Sequence, residues 1–277
     1  MSNPPPPLSV VAAQAVKLER REDGIARITL ARPERHNAFD DALIAALDDI
    51  LADLADDDDV RVVTLTGEGK SFSAGADIGW MKRMAGYSEA QNRADALVLV
   101  NLMHRLASLA KPTVALVNGP AIGGGVGLVA ACDIAIAADN AVFALSEVRL
   151  GIIPAVIMPY VIDAMGARAT RRFALTGERF GAAEAGRLGL VHEVVPAMYL
   201  DTAADRVISD LLGGGPAAQA TIKAFMHEIA HTPRTEATRA RSAELIAAVR
   251  ASDEGREGLS AFLDKRTAGF VRARKPG

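Results

Sequence analysis

Two glycine-rich segments place backbone N–H groups where they could act on a ligand. The first is residues 72–77 (FSAGAD), and the second is residues 118–125 (NGPAIGGG), which ends in three glycines. Small residues let ligand atoms approach the backbone, and a helix that begins within Gly123–Gly125 presents unpaired N–H groups and a positive dipole end. Two such groups that converge on one point form an oxyanion hole, in which loss of one donor costs about 2.7–4 kcal/mol in the transition state. Taken singly, each segment also fits a close-packed turn.

The elements that must position these segments alternate between strands and helices. A hairpin is predicted from residues 14–19 and 25–31, and Asp40 caps a helix with apolar residues at helical spacing. Strands are predicted at 60–66, 113–117 and 134–137, and a long helix at about 88–110. Beyond Pro159 only residues 190–195 suggest a strand. We therefore expect an α/β core over residues 13–200, a helical region over 201–277 and a disordered, proline-rich tail over 1–12.

Composition limits the class of protein. The chain has 277 residues, of which 50% are hydrophobic and 23% charged, with a net charge of −3. This balance favours a folded domain and argues against a dedicated nucleic-acid binder. One cysteine, Cys132, cannot form an internal disulfide, and no uninterrupted apolar run reaches about 18–20 residues. Residues 1–7 have no basic flank or apolar core, so we do not expect them to act as a secretory signal. We expect a cytoplasmic protein that does not insert into a membrane.

Nucleotide and metal motifs fail on spacing. The sequence GKS at 69–71 lacks the first glycine of a P-loop, since position 64 is Thr64. The pattern GVGLVA at 125–130 lies too far from the predicted strand end at Val117 for a dinucleotide fold. His227 and His231 are four residues apart but have no evident third ligand. We predict no metal and no redox cofactor.

Five motifs, in this order, carry a family resemblance. They are RPERHNA at 32–38, FSAGAD at 72–77, NGPAIGGG at 118–125, SEVRLGIIP at 146–154 and FLDKR at 262–266. Together they resemble the crotonase, or enoyl-CoA hydratase/isomerase, superfamily over about residues 14–270. The resemblance implies an α/β fold, a crotonase-like spiral of ββα units, followed by a C-terminal helical trimerisation region. It also implies a homotrimer or a dimer of trimers.

The resemblance assigns roles residue by residue. Ala76 and Gly124 would donate their N–H groups to the thioester carbonyl of an acyl-CoA, where the charge of the enolate develops. Coenzyme A enters as part of the substrate, so no separate cofactor is expected. For Arg35 and for Lys265, which resembles a lysine that reaches CoA phosphates, a solvated charge is the alternative. The residues expected to bind substrate or CoA are Arg35, Ala38, Ala74, Asp77, Ile78, Gly123 and Lys265.

Glu147 is the predicted acid/base residue. It follows Leu145-Ser146 at the position of the family's catalytic glutamate. A carboxylate in an apolar pocket can have its pKa raised toward neutrality and can then both give and take protons. The alternative is a surface glutamate, or one paired with Arg149.

The sequence departs from the family pattern at Gly127, where typical hydratases carry a second glutamate two residues after the glycine triplet. Glycine can neither activate water nor supply a proton. Hydration would then use Glu147 for both tasks or a group not visible in the sequence, whereas double-bond isomerisation needs one carboxylate.

Other details favour hydration. The runs GADIGWMKRM at 75–84 and AVIMPYV at 155–161 resemble a bacterial subgroup assigned to 3-methylglutaconyl-CoA hydration in leucine breakdown, or to related branched substrates. A distal carboxylate would call for a cation in the acyl pocket. Lys82, Arg83 and Arg149 are the candidates, but a solvent-facing position is favoured for each of them. Gly127 would leave room for a branch methyl.

The favoured function is hydration of a 2-enoyl-CoA thioester, possible substrates being 3-methylglutaconyl-CoA or another branched enoyl-CoA. The alternative within enzymes is a Δ3,Δ2-enoyl-CoA isomerase that uses Glu147 alone. Two further classes are an RNA-binding protein, for which Arg168, Arg171 and Arg172 would form a basic patch, and a non-catalytic family member. The net charge argues against RNA, and the coexistence of Glu147 with both glycine-rich segments argues against a silent scaffold.

Overall fold

The computed structural model describes residues 15–274. The predicted disordered tail over residues 1–12 lies outside this range. Nine strands are present in it: β1 Val16–Arg20, β2 Ile25–Leu30, β3 Val62–Gly67, β4 Thr113–Val117, β5 Ala121–Ile122, β6 Ile134–Ala138, β7 Val142–Ala144, β8 Phe180–Gly181 and β9 Glu193–Val195. The same part of the chain forms ten α-helices: α1 Asp41–Ala55, α2 Ile78–Met84, α3 Glu89–Ser108, α4 Gly124–Ala131, α5 Met158–Thr176, α6 Ala182–Leu188, α7 Leu200–Gly213, α8 Pro216–Ile229, α9 Glu236–Ala251 and α10 Asp253–Leu263.

Local sequence signals account for most of these elements. The predicted hairpin is confirmed as antiparallel β1 and β2, and the Asp40 side chain accepts a hydrogen bond from Leu43 N at the start of α1. Ser88 caps α3 through a capping box with Gln91. The short strands β5, β7 and β8 were not predicted, because segments of two or three residues carry too little alternation of polar and apolar residues.

The main sheet has six strands in the order β1-β2-β3-β4-β6-β9. Only the β1–β2 pair is antiparallel, and the remaining neighbours are parallel. Every residue of β3 and β4 is buried, as expected for central strands covered on both faces. A second sheet has three short strands in the order β5-β7-β8, and β5 is part of the second glycine-rich segment.

Parallel pairing brings the two glycine-rich segments to one edge of the sheet. Thr66 of β3 is in register with Leu116 of β4, so both strands end at the same edge. Residues 72–77 follow β3 and residues 118–125 follow β4. Segments after the carboxyl ends of adjacent parallel strands meet there, which is where open α/β sheets bind ligands.

The helices from α7 onward extend the core and then expose much of their surface. Leu200, Ile208 and Leu212 of α7 form a second apolar cluster with Val62 and Val114 of the sheet. No residue of α8 or α9 is fully buried. The described residues contain no helix that is both long and apolar enough to cross a bilayer.

Candidate active site

The two glycine-rich segments lie side by side and bond to each other through the backbone. Phe72 N and Ser73 N donate to the Pro120 carbonyl at 3.0 and 3.1 Å, and Ile122 N donates to the Ser73 carbonyl at 2.9 Å. A Cβ on Gly125 would lie 2.7 Å from the Ser73 carbonyl oxygen. Glycine is therefore needed at this position for the two segments to approach so closely.

Ala76 and Gly124 present N–H groups to one cavity. Both residues line it, and among residues 15–274 neither N–H donates to another protein atom. Gly124 is the first residue of α4, where the N–H has no partner within the helix. Phe39 packs on it so closely that a Cβ at position 124 would lie 2.5 Å from Phe39 Cε2. These two N–H groups are available to a ligand atom in the cavity.

Glu147 faces the same cavity from a short 3-10 helix, Glu147–Leu150, that follows β7. Its Oε1 would lie 2.9 Å from a Cβ at Gly123, so the carboxylate rests against the start of α4. Its Oε2 is buried and has no hydrogen-bond partner among the described residues. Burial raises the pKa of Glu147, because the charged form loses its hydration.

Arg149 does not pair with Glu147. Its Nε donates to the Gly177 carbonyl at 3.1 Å. Among residues 15–274 no lysine, arginine or histidine forms an ion pair with Glu147, so the alternative of an ion-paired glutamate is wrong. Its carboxylate is aimed at the cavity with its proton affinity raised, as an acid/base group requires.

The rest of the cavity is apolar. It has a volume of about 310 Å³. One wall comes from α2 and α3, and the other from the loop between the 3-10 helix and α5. No lysine or arginine is among its lining residues. The large apolar side chains of the two walls include Trp80, Met81, Leu99, Leu150, Ile152 and Val156.

The three candidate cations for the acyl pocket lie outside the cavity. Arg83 donates to the Asp41 carboxylate at 2.6 Å, Arg149 turns to Gly177, and Lys82 is exposed on α2. All three residues are exposed, which is the position favoured for them from the sequence, and none lines the cavity of this chain. The spacing of apolar residues in a helix of seven residues does not show which face turns inward. In the structure the buried face of α2 carries Trp80.

The space beside Gly127 is filled by Ile157. A Cβ on Gly127 would clash with Ile157 Cγ2 and lie 2.8 Å from Ile157 Cβ, and Met103 Cε is 3.3 Å away. The expected room for a branch methyl at this position is therefore absent. An apolar side chain occupies the place where the resemblance puts a second carboxylate in typical hydratases.

Arg35 and Asp77 form an ion pair next to the oxyanion segment. Arg35 Nη1 donates to Asp77 Oδ2 at 2.9 Å, and Asp77 Oδ1 accepts from Gly79 N and Trp80 N, capping α2. Burial alone would raise the pKa of Asp77, but the hydrogen bonds from Arg35 and the two N–H groups lower it below its usual value. Arg35 is thus a paired cation rather than a free one.

The other predicted binding residues divide into two groups. Ala74 and Gly123 line the cavity with Ala76, Gly124 and Glu147. Ala38 is buried behind Arg35, Ile78 begins α2 and is 67% exposed, and neither lines the cavity. Lys265 follows α10 with a left-handed φ of 55° and is also absent from the lining. Its predicted contact with CoA stays a prediction.

Comparison with known proteins identifies the family. The family model described as enoyl-CoA hydratase/isomerase matches residues 20–273. The chain belongs to the enoyl-CoA hydratase/isomerase family. The confirmed fold class is the α/β crotonase-like fold with a C-terminal helical region, and the protein is an enzyme of this family.

Individual relatives agree with this family. A crystal structure of an enoyl-CoA hydratase from Shewanella pealeana has a TM-score of 0.90 and 40% identity, covering 95% of this chain and 98% of that one. The 2,3-dehydroadipyl-CoA hydratase of Escherichia coli is 33% identical over 251 residues, 90% of this chain and 96% of that protein. Hydroxycinnamoyl-CoA hydratase-lyase of Pseudomonas fluorescens is 37% identical over 206 residues, covering 73% and 74% of the two chains.

Three site residues of this hydratase/isomerase family member were missed by sequence reasoning. Phe39 packs on Gly124, Ile157 fills the space at Gly127, and Asp95 accepts a hydrogen bond from Trp80. Their partners are distant in sequence, so no local pattern pointed to these contacts, although Ile157 lies within the run at 155–161. Phe39 directly follows the motif at 32–38, which is the one signal that could have found it.

Proposed function

We propose that the enzyme adds water across the double bond of a 2-enoyl-CoA, with Ala76 and Gly124 as the oxyanion hole and Glu147 as the acid/base. The observation that carries the proposal is that two unpaired N–H groups and the carboxylate of Glu147, whose Oε2 is buried without a hydrogen-bond partner, belong to residues that line a single cavity. The reaction uses no cofactor other than the coenzyme A that the substrate carries.

The N–H groups would act on the thioester oxygen. When the water oxygen bonds to Cβ, the π electrons of the double bond move toward the thioester oxygen and form an enolate. Donors that are already fixed in place stabilise this charge more in the transition state than the neutral carbonyl in the ground state. The hydrogen bonds around Phe39 and Gly75 hold Ala76 in that position.

Glu147 would carry out both proton transfers. Its carboxylate takes a proton from the attacking water, and the resulting carboxylic acid gives that proton to Cα as the enolate collapses. One group can serve both steps because a raised pKa brings its two protonation states closer in free energy near neutral pH. Water is consumed and the carboxylate is regenerated.

The acyl chain would be short or branched and without charge. The cavity of about 310 Å³ has no cation in its lining, and burial of an unpaired carboxylate there would be costly. This favours a neutral 2-enoyl chain over 3-methylglutaconyl-CoA, which the motifs at 75–84 and 155–161 suggest. The substrate in the name of the Escherichia coli relative, 2,3-dehydroadipyl-CoA, also carries a distal carboxylate, so assaying it tests whether the cavity accepts a charged acyl chain.

A Δ3,Δ2-enoyl-CoA isomerase is the second candidate. The apolar contact between Ile157 and Gly127 favours it, because this part of the cavity offers no second carboxylate. Isomerisation moves one proton between two carbons, a task for Glu147 alone.

The test measures hydration and double-bond migration separately. Purified wild-type enzyme, Glu147→Gln and the control Glu236→Gln, whose side chain is 92% exposed, are assayed on crotonyl-CoA, 3-methylcrotonyl-CoA, 3-methylglutaconyl-CoA, 2,3-dehydroadipyl-CoA and a 3-enoyl-CoA. Hydration of the neutral 2-enoyl substrates that Glu147→Gln loses and Glu236→Gln keeps supports the proposal. Migration without hydration contradicts it and establishes the isomerase.

The resemblance also supports an assembly and a location. We propose a cytoplasmic homotrimer or dimer of trimers, built through the exposed C-terminal helices. Light scattering on the purified enzyme tests the assembly, and a monomer in solution would contradict it.

A further inference from the structure

A hydrogen bond between two helices crosses one wall of the acyl cavity. Trp80 Nε1, on α2, donates to Asp95 Oδ1, on α3, at 3.1 Å. Trp80 is the one buried residue of α2, with 5% exposure. A buried indole N–H usually needs an acceptor. Asp95 supplies one, and its charge makes the bond stronger than a neutral pair would.

The first half of α3 has few other attachments. Its buried residues, Leu102, Met103, Leu106 and Ala107, all lie in the second half. Between positions 89 and 100 no side chain is fully buried, and only Asp95, Ala96 and Leu99 are half-buried. Ala96 and Leu99 line the cavity. The hydrogen bond to Trp80 therefore holds the cavity-lining part of α3 in place.

Among residues 15–274 this is the one side-chain hydrogen bond that joins α2 to α3. Trp80 itself lines the cavity, so its indole is both a wall and an anchor. The cavity volume of about 310 Å³ is at the low end of small-molecule sites, which span roughly 300–1,000 Å³. Movement of α3 away from α2 would enlarge it.

We propose that the Trp80–Asp95 hydrogen bond limits the length of the acyl chain that the enzyme accepts. The inference rests on the proposed function only in taking an acyl-CoA as ligand. Asp95 acts as a positioning residue, since it fixes the indole and the start of α3 and does not line the cavity itself. A tether with a purely structural role would affect stability and leave chain-length preference unchanged.

The test uses saturated acyl-CoAs, which bind but cannot be hydrated. Dissociation constants for butyryl-CoA and octanoyl-CoA are measured by calorimetry on wild-type enzyme, Asp95→Ala, Asp95→Asn and Trp80→Phe. Asp95→Ala removes the acceptor and Trp80→Phe removes the donor. Asp95→Asn is the matched control, because its amide oxygen can accept the same bond.

The expected result is a shift in the ratio of the two constants. Asp95→Ala and Trp80→Phe favour octanoyl-CoA by about tenfold relative to wild type, the effect of one hydrogen bond at the upper end of its usual range. Asp95→Asn retains most of the wild-type ratio. An unchanged ratio in a folded Asp95→Ala enzyme overturns the proposal, as does an equal shift in Asp95→Asn.

The single tryptophan of the chain gives a second readout. All tryptophan emission comes from Trp80, so its fluorescence reports changes in the environment of this cavity wall directly. Octanoyl-CoA is expected to change the emission more in Asp95→Ala than in wild type, and equal changes contradict the proposal. Wild-type enzyme that binds these ligands but hydrates no enoyl-CoA contradicts the proposed function and leaves this inference standing. Wild-type enzyme that binds neither ligand overturns both.

Discussion

The side chain of Ile157 occupies the space that a residue larger than glycine would need at position 127. Ile157 Cβ lies 2.8 Å from the position of an added Cβ, and Met103 Cε lies 3.3 Å from it. Gly127 is inside α4, where glycine is normally a poor choice by about 1 kcal/mol relative to alanine. Packing against Ile157 explains why glycine is present at position 127 of this helix.

Gly127→Ala is expected to destabilise the enzyme by about 1–3 kcal/mol, the usual cost of overpacking a core. The same change in an Ile157→Ala background has room for the methyl group and is expected to be neutral or stabilising. Thermal denaturation of the four proteins in this cycle measures the coupling. Additive effects of the two substitutions would show that packing against Ile157 is not the reason that position 127 requires glycine.

The double variant Gly127→Glu/Ile157→Ala is expected to place a second carboxylate beside the cavity. Hydration by this variant should exceed that by Gly127→Glu alone, in which Ile157 blocks the new side chain. The ratio of hydration to double-bond migration is the measurement. The single variant Ile157→Ala is the control for the effect of the enlarged cavity.

Gly123→Ala is expected to reduce kcat by at least about tenfold, with a smaller effect on KM. Gly123 has a φ of +52°, which strains any residue with a Cβ, and the new methyl would lie 2.9 Å from Glu147 Oε1. The acid/base would move, and a shift of about 1 Å is enough to slow a reaction strongly. Gly181→Ala, where an added Cβ meets nothing within 4 Å, should leave kcat unchanged.

Stability should depend on the ionisation of Glu147. Because burial raises its pKa above the ordinary value of 4.5, the folded state binds this proton more tightly than the unfolded state does. The free energy of unfolding therefore falls as pH rises from 4.5 through the raised pKa. Glu147→Gln should be more stable than wild type above this window, and the difference should vanish below pH 4.5. A difference in Tm that does not vary with pH would contradict the burial of this carboxylate.

Asp77→Ala should destabilise α2 by about 1 kcal/mol through the loss of its cap. Asp77→Asn keeps an oxygen for Gly79 N and Trp80 N but loses the charge that pairs with Arg35. We expect Asp77→Asn to retain most of the stability, as measured by urea denaturation. Equal losses in the two variants would assign the effect to the ion pair rather than to the cap.

The sequence by itself determined the longer elements of the core and supplied the candidates for the reacting groups. The hairpin, the capped helix α1 and strand β4 each depend on residues that are neighbours in the chain, so local patterns predicted them. The glycine-rich segments follow predicted strands, and their parallel pairing brings them together. Glu147 was predicted as the acid/base because it lies in the motif at 146–154, which carries the family resemblance.

Only the tertiary structure decided the shape and polarity of the acyl cavity. Lys82 and Arg83 share α2 with Trp80. The sequence favoured solvent-facing cations but did not show that the indole would line the cavity. Ile157 meets Gly127 across thirty positions, and Asp95 meets Trp80 between two helices. Such contacts depend on how whole elements pack, because a side chain's partner is set by the geometry of the layer opposite it and not by its neighbours in sequence.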